Sequence, residues 1–196
     1  MFGIEIGIGI LKEFIAIISK AGDLLKLVAN ILTGICKELG IIQPETDEVE
    51  LGDRAIQAEQ EGIKPENYDT YQEYVKAINE FEIDPEKSKQ ILPEEKLAKA
   101  LEIEAILLVA NNKPEVVSFL ELVANHKDYF TDIKCKELGK LLVTAAGDVI
   151  NISDVVNGRE KSFDKIDSAY DALAKIEKQI DPNITDAEAD ERAHKI

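Results

Sequence analysis

Along the first 43 residues the polar side chains return at a helical period. At 100° per residue, Glu5, Lys12, Glu13, Ser19, Lys20, Asp23, Lys26, Asn30, Thr33, Lys37 and Glu38 share an arc of about 160°. The opposite side holds Ile10, Leu11, Phe14, Ile17, Ile18, Ala21, Leu25, Val28, Leu32, Ile35, Cys36 and Leu39. It is wider than the roughly 100° stripe with which a helix rests on an ordinary core. Gly22 could end a helix and Asp23 could cap the next, but a break would normally rotate the stripe, and the phase is kept. The pattern therefore predicts one long apolar helix to about Leu39, stopped by Gly40. Phe2, Ile4, Ile6, Ile8 and Ile10 also alternate with Gly3, Glu5, Gly7 and Gly9, as a strand or an irregular arm would, and helix is the reading adopted.

Beyond Gln43 the punctuation is helical at each boundary. Gly40-Ile41-Ile42-Gln43-Pro44 and Gly62-Ile63-Lys64-Pro65 repeat one device: a glycine free to turn left-handed, an apolar residue folding back on the last turn, and a proline that bars continuation. A helix from about Asp47 to Glu61 lies between them. Thr70 with Glu73 forms a capping box before the stripe Tyr71, Tyr74, Val75, Ile78 and Phe81. Pro85, Pro93 and Pro114 each stand where a first helical turn tolerates proline.

Two later seams suggest an antiparallel pair. Leu138, Leu142, Ala145, Val149, Ile152 and Val156 follow 4-3-4-3-4 spacing, and Phe163, Ile166, Tyr170, Leu173, Ile176 and Ile180 continue after Asn157-Gly158. The short connection makes them neighbours, with residues 1–39 or 94–111 closing the bundle. Past Asp181-Pro182, Thr185 and Glu188 form another capping box, but few apolar residues follow, so a frayed end is expected. The expected fold is all-α: a long apolar N-terminal helix, residues 1–43; an acidic multi-helix bundle, 44–181, ending in an antiparallel helical hairpin; and a polar C-terminal tail, 182–196.

Charge sharpens this division. Four lysines balance four acidic residues in the leader, so the remainder carries the whole net charge of −16. The longest charge-free stretch in the leader, Leu27 to Cys36, is half of what a membrane span needs, about 20 residues. No basic residue precedes Lys12, which argues against a secretory signal. Cys36 and Cys135 lack paired spacing and read as two reduced, partly buried thiols, which fits a reducing compartment.

The chemistry is mostly negative. His126 and His194 are the two histidines, and one Glu191-x-x-His194 spacing is half of a di-iron motif with no second copy. A calcium loop ending at Asp164 would place Val155, which has no side-chain oxygen, at its third ligand position. Phosphate loops, nucleophile elbows and Cys-x-x-Cys pairs are missing from the sequence. Glu104 projects among Leu97, Leu101 and Leu108, where a carboxyl is raised unless it is paired, and Arg54 is the candidate partner.

No catalytic, cofactor-binding or metal-binding residue is assigned, and the protein is read as non-enzymatic. It is expected to be a helical interaction or assembly protein using its N-terminal helix, through Phe14, Ile17, Ile18, Ala21, Leu25, Val28, Leu32, Ile35 and Leu39. The partner would be another protein or a second copy bound through residues 1–43, with peripheral membrane contact as a third use. Alternatively, the leader is the central helix of the chain's own core. Direct nucleic-acid binding is disfavoured for want of clustered Lys and Arg. The competing reading is an acidic, charge-mimicking inhibitor of a nucleic-acid-binding protein. A cytoplasmic setting is expected, membrane-peripheral or within an assembly.

Overall fold

A computed structural model describes the backbone of residues 2–196 and the side chains of residues 9–196. Among the described residues the chain is helical with no strand. The helices are α1 (Phe2–Ser19), α2 (Asp23–Glu38), α3 (Glu48–Gln60), α4 (Tyr71–Glu80), α5 (Pro85–Ser88), α6 (Pro93–Ala110), α7 (Glu115–Asn125), α8 (Asp132–Thr144), α9 (Ala146–Val156), α10 (Phe163–Ile180) and α11 (Asp186–Ala193). They divide into two compact units, Met1–Pro114 and Glu115–Ile196. The division falls far from the boundary expected after residue 43, because α1 and α2 pack on α6 within the first unit.

The helix stops follow from the sequence. Behind α2, Gly40 has φ +66, its N–H donates to the Lys37 carbonyl, and the Ile41 N–H donates to Cys36. The same paired bonds recur at Gly62, where Ile63 donates to Ala58, and at Gly158, where Arg159 donates to Asp154. These are Schellman closures, in which two otherwise orphaned carbonyls find donors. Asn112, with φ 60, closes α6 in the same way and is the one non-glycine residue with positive φ among the described residues. At helix starts, the Asp47 carboxylate accepts from the Glu50 N–H, and both capping boxes, Thr70 with Glu73 and Thr185 with Glu188, are formed.

The continuous N-terminal helix is corrected. Lys20, Ala21 and Gly22 form a turn between α1 and α2, and Gly22 takes φ 57 and ψ −110, a conformation that side-chain-bearing residues rarely adopt. Leu11, Ile15 and Ile18 before the turn, and Leu25, Val28 and Leu32 after it, are all buried. The apolar face thus crosses the break without changing its role, which is why phase alone did not reveal it.

Helix α6 is the centre of the first unit. Leu97, Ala100, Leu101, Ile103, Ala105, Leu107 and Leu108 are buried around it, as befits a helix enclosed on most sides. Helices α1, α2, α3 and α4 all contact it, so α6 has the central position considered for the leader. Helix α3 approaches α6 tightly at Gly52, where an added Cβ would lie 1.8 Å from the Lys96 carbonyl oxygen. Beside this crossing, Lys96 Nζ lies 2.7 Å from the buried Asp53 carboxylate, which also accepts hydrogen bonds from Gln57 and Ser88. Burial pushes the Asp53 carboxyl up, but Lys96, Ser88 and Gln57 together hold it below its ordinary value.

In the second unit α10 runs back along α9 and α8. Asn151 of α9 donates to the Lys165 carbonyl near the start of α10, while Lys134 of α8 pairs with Glu177 near its end. The long seam from Leu138 to Val156 is not one helix: it breaks at Ala145, φ −152 and ψ 56, despite the high helix propensity of alanine. Phe163 is also corrected, being 83% exposed at the first position of α10, whereas Leu173 and Ile176 are buried as the seam required. Nor is the C-terminal end frayed. Ile184, Ala189 and Ala193 bury their small faces as α11 packs on α10, and the His194 ring stacks on Tyr170 at 3.8 Å between centroids. Counting large apolar residues missed this, because alanines allow close helix approach with little side chain.

A buried polar knot fixes α8 to α10. The Tyr129 hydroxyl donates to Glu177 Oε1 at 2.8 Å, Lys134 pairs with the same carboxylate, and the Lys134 ammonium sits 3.6 Å from the Tyr129 ring centroid. Burial and the Glu177 carboxylate push the Tyr129 hydroxyl well above its usual range. Tyr129→Phe is expected to lower the stability of this unit by about 1 to 2 kcal/mol, since one hydrogen bond to a buried carboxylate is lost while Lys134 remains. Urea titration followed by far-ultraviolet circular dichroism measures this; an unchanged midpoint would show that the hydroxyl contributes nothing.

Candidate functional site

The nine residues assigned to the leader's contact face separate into two groups. Ile18, Leu25, Val28, Leu32 and Ile35 are buried within the first unit and leave no surface for a partner in this conformation. Phe14 and Ala21 are half-buried, and Ile17 and Leu39 are exposed. What remains is an edge along α1: Ile10 is 40% exposed, Ile17 is 41% exposed, and Phe14 lies between them, at spacings of four and three residues. Helical geometry puts the three on one side, about 90° from the buried Leu11, Ile15 and Ile18. Ala21 continues that line into the turn after α1. Glu13 and Lys20 flank it on the free side, both exposed and both without a side-chain partner among the described residues.

A second candidate is an open crevice of about 920 Å³ between α1, α3, α5 and α6, walled by Ile15, Ala16, Ile56 and Ile91. Its three lysines are already engaged: Lys12 with Glu102 at 3.3 Å, Lys87 with Glu61 at 2.6 Å, and Lys99 with Glu59 at 2.6 Å. The crevice thus offers an apolar wall and compensated charge, with no nucleophile beside a base.

Glu104 is fully buried where α2 meets α6, and its expected pairing with Arg54 is corrected. Arg54 instead binds Glu50 and the Asn79 carbonyl on the surface of α3. Glu104 Oε1 accepts from the Thr33 hydroxyl at 2.7 Å, and Oε2 has no hydrogen-bond partner among the described residues. The Cys36 thiol points at the Glu104 backbone carbonyl, 3.9 Å away. Burial pushes the Glu104 carboxyl up to about 8, against a smaller lowering by Thr33. The isolated apolar setting was legible in sequence, and the Thr33 partner was not.

Among the described residues, no group of three or more His, Cys, Asp or Glu is placed to hold a metal ion. None of the helices among these residues is long and apolar enough to cross a membrane. No protein-family model matches the chain. Searches of curated proteins and of solved structures likewise returned no match.

Proposed function

We propose that this is a non-enzymatic helical interaction or assembly protein whose contact element is the uncovered edge of α1. The reading is narrower than a whole-leader contact, because five of the nine expected residues serve the internal core. One observation carries it: Ile10, Phe14 and Ile17 form a line on one side of α1, beside Leu11, Ile15 and Ile18, which are buried in the first unit. An apolar line of this spacing suits a facing helix. The acidic character of residues 44–196 fits a supporting role, keeping a protein with an apolar edge dispersed.

Ile17→Glu tests the reading. Burying such a side chain contributes about 1.5 to 3 kcal/mol, so the substitution is expected to weaken assembly or partner capture by at least about tenfold. Stability should change by less than about 1 kcal/mol, since the site is already partly exposed. Sedimentation velocity and co-purification from cells, with circular dichroism as a folding control, give the readouts. Capture that survives Ile17→Glu but disappears at high salt would overturn the proposal in favour of charge mimicry.

A further inference from the structure

We infer that Glu104 is a latch on the N-terminal arm formed by α1 and α2: while it keeps its proton α2 lies closed on α6, and loss of that proton releases the arm while α3 stays seated. The latch goes beyond the contact role proposed for the α1 edge and does not depend on it.

The polar links between the helices single out this residue. Among the described residues α2 makes two hydrogen bonds to α6, one from the Thr33 hydroxyl to Glu104 Oε1 at 2.7 Å and one from the Cys36 thiol to the Glu104 carbonyl at 3.9 Å. Both end on Glu104. Helix α1 adds one ion pair, Lys12 with Glu102, in which the lysine is largely exposed, and such a pair contributes little. Helix α3 is fastened differently. It meets the α6 backbone at Gly52, and its Asp53 and Glu59 carboxylates pair with Lys96 and Lys99 of α6 at 2.7 and 2.6 Å. A change of charge at Glu104 therefore falls on the seat of the arm and leaves the fastenings of α3 in place.

The carboxyl is placed so that only its neutral form suits the closed state. It is fully buried, Oε1 accepts one hydrogen bond, and Oε2 has no partner among the described residues. No cation pairs with it there. Lys37 of α2 favours the ionised form and Glu48 of α3 opposes it, both acting at a distance. Lys12 of α1 is bound to Glu102, Lys96 and Lys99 of α6 are bound to Asp53 and Glu59, and the Tyr74 hydroxyl of α4 donates to Glu59. The neighbouring Cys36 thiol is held neutral by burial and by Glu104 itself. An ionised Glu104 in the closed state would thus be a buried charge with a single hydrogen bond, whereas opening α2 gives it water.

The arm also has a joint. Gly40, with φ +66, ends α2, and residues 41–47 separate that stop from the start of α3. Burial pushes the Glu104 carboxyl up from the ordinary 4.5 to about 8 in the closed state. Between these values the open form gives up a proton that the closed form keeps, so opening grows more favourable as pH rises and levels off above about 8.

Amide hydrogen exchange of the full chain, read by mass spectrometry and corrected for the intrinsic effect of pH on exchange, follows the opening of each helix. Protection of the α2 amides is expected to fall at least about tenfold between pH 6 and pH 8. At pH 8 it should lie at least about tenfold below that of the α3 amides and depend less on added urea, because releasing the arm exposes less surface than unfolding the whole unit. Glu104→Gln should remove the fall with pH, with far-ultraviolet circular dichroism as the folding control. Thr33→Val takes away the hydroxyl that favours the ionised form, so in this variant the fall should continue to a higher pH. Equal protection and equal urea dependence in α2 and α3 would overturn the release of the arm, since the unit would then open only as a whole. Protection that does not fall with pH, a fall that persists in Glu104→Gln, or one that levels off at the same pH in Thr33→Val would overturn Glu104 as the latch.

Discussion

Gly52→Ala is expected to destabilise the first unit by about 3 kcal/mol or more, enough to leave it partly unfolded at 37 °C. The substitution would ordinarily favour a helix, because alanine loses less backbone freedom than glycine. Here the new methyl group would lie 1.8 Å from the Lys96 carbonyl oxygen, well inside van der Waals contact and against backbone that cannot rotate away. Relief requires α3 to withdraw from α6, which also lengthens the Lys96–Asp53 pair and leaves a buried carboxylate short of its cation. Guanidinium unfolding of the full chain, compared with Gly147→Ala at a helical glycine where nothing lies within 4 Å, separates crowding from helix propensity. Equal midpoints for the two variants would mean that α3 and α6 do not cross at this separation.

A comparably large effect is expected from pH. Glu104 titrates near the ordinary 4.5 when unfolded and is pushed up to about 8 in the native fold by burial. Between these values the unfolded chain gives up a proton that the native chain keeps, so native stability falls as pH rises from 4.5 to about 8 and levels off above it. Below 4.5 both states hold the proton and the penalty is gone. The full span corresponds to about 5 kcal/mol. Glu104→Gln keeps a carbonyl for the Thr33 hydroxyl and cannot ionise; it should match the parent near pH 5 and exceed it by about 2 to 4 kcal/mol at pH 8. Denaturant titrations of parent and variant at a series of pH values measure the difference. Parallel curves would show that Glu104 is ionised, or equally protonated, in both states.

Local chemistry made much of the fold legible. Gly40, Gly62 and Asn157-Gly158 stop helices at the expected residues because a left-handed position followed by a back-folding residue is a short-range device. Thr70-Glu73 and Thr185-Glu188 work within four residues and were equally plain. What periodicity could not reveal was a break that preserves phase. The turn at Gly22 and the bend at Ala145 both leave their stripes in register, and only the backbone angles disclose them.

The candidate site was legible to a lesser degree. The width of the apolar arc pointed to residues beyond the needs of one core contact, and Ile17 with part of Phe14 are those residues. Which part of the arc would remain uncovered depended on α6, fifty residues or more away in sequence, whose position no local pattern encodes. The same long-range dependence explains Glu104, where an apolar setting was visible but the choice of Thr33 over Arg54 was not.

Cys36 is buried between α2 and α6, and Cys135 is buried in α8 with its thiol directed at the Phe130 carbonyl, so each unit contains one reduced thiol shielded from water. Burial, aided by Glu104, pushes Cys36 far up, and burial, aided by Asp132, pushes Cys135 up to about 12. The thiolate is the form that attacks an alkylating reagent, so neither sulfur reacts while its surroundings stay closed. Modification must wait for an opening, and the population of the open state is set by the free energy of that opening. Mass spectrometry of peptides containing each cysteine would then time the breathing of the two halves separately, in the unaltered chain and without an attached label.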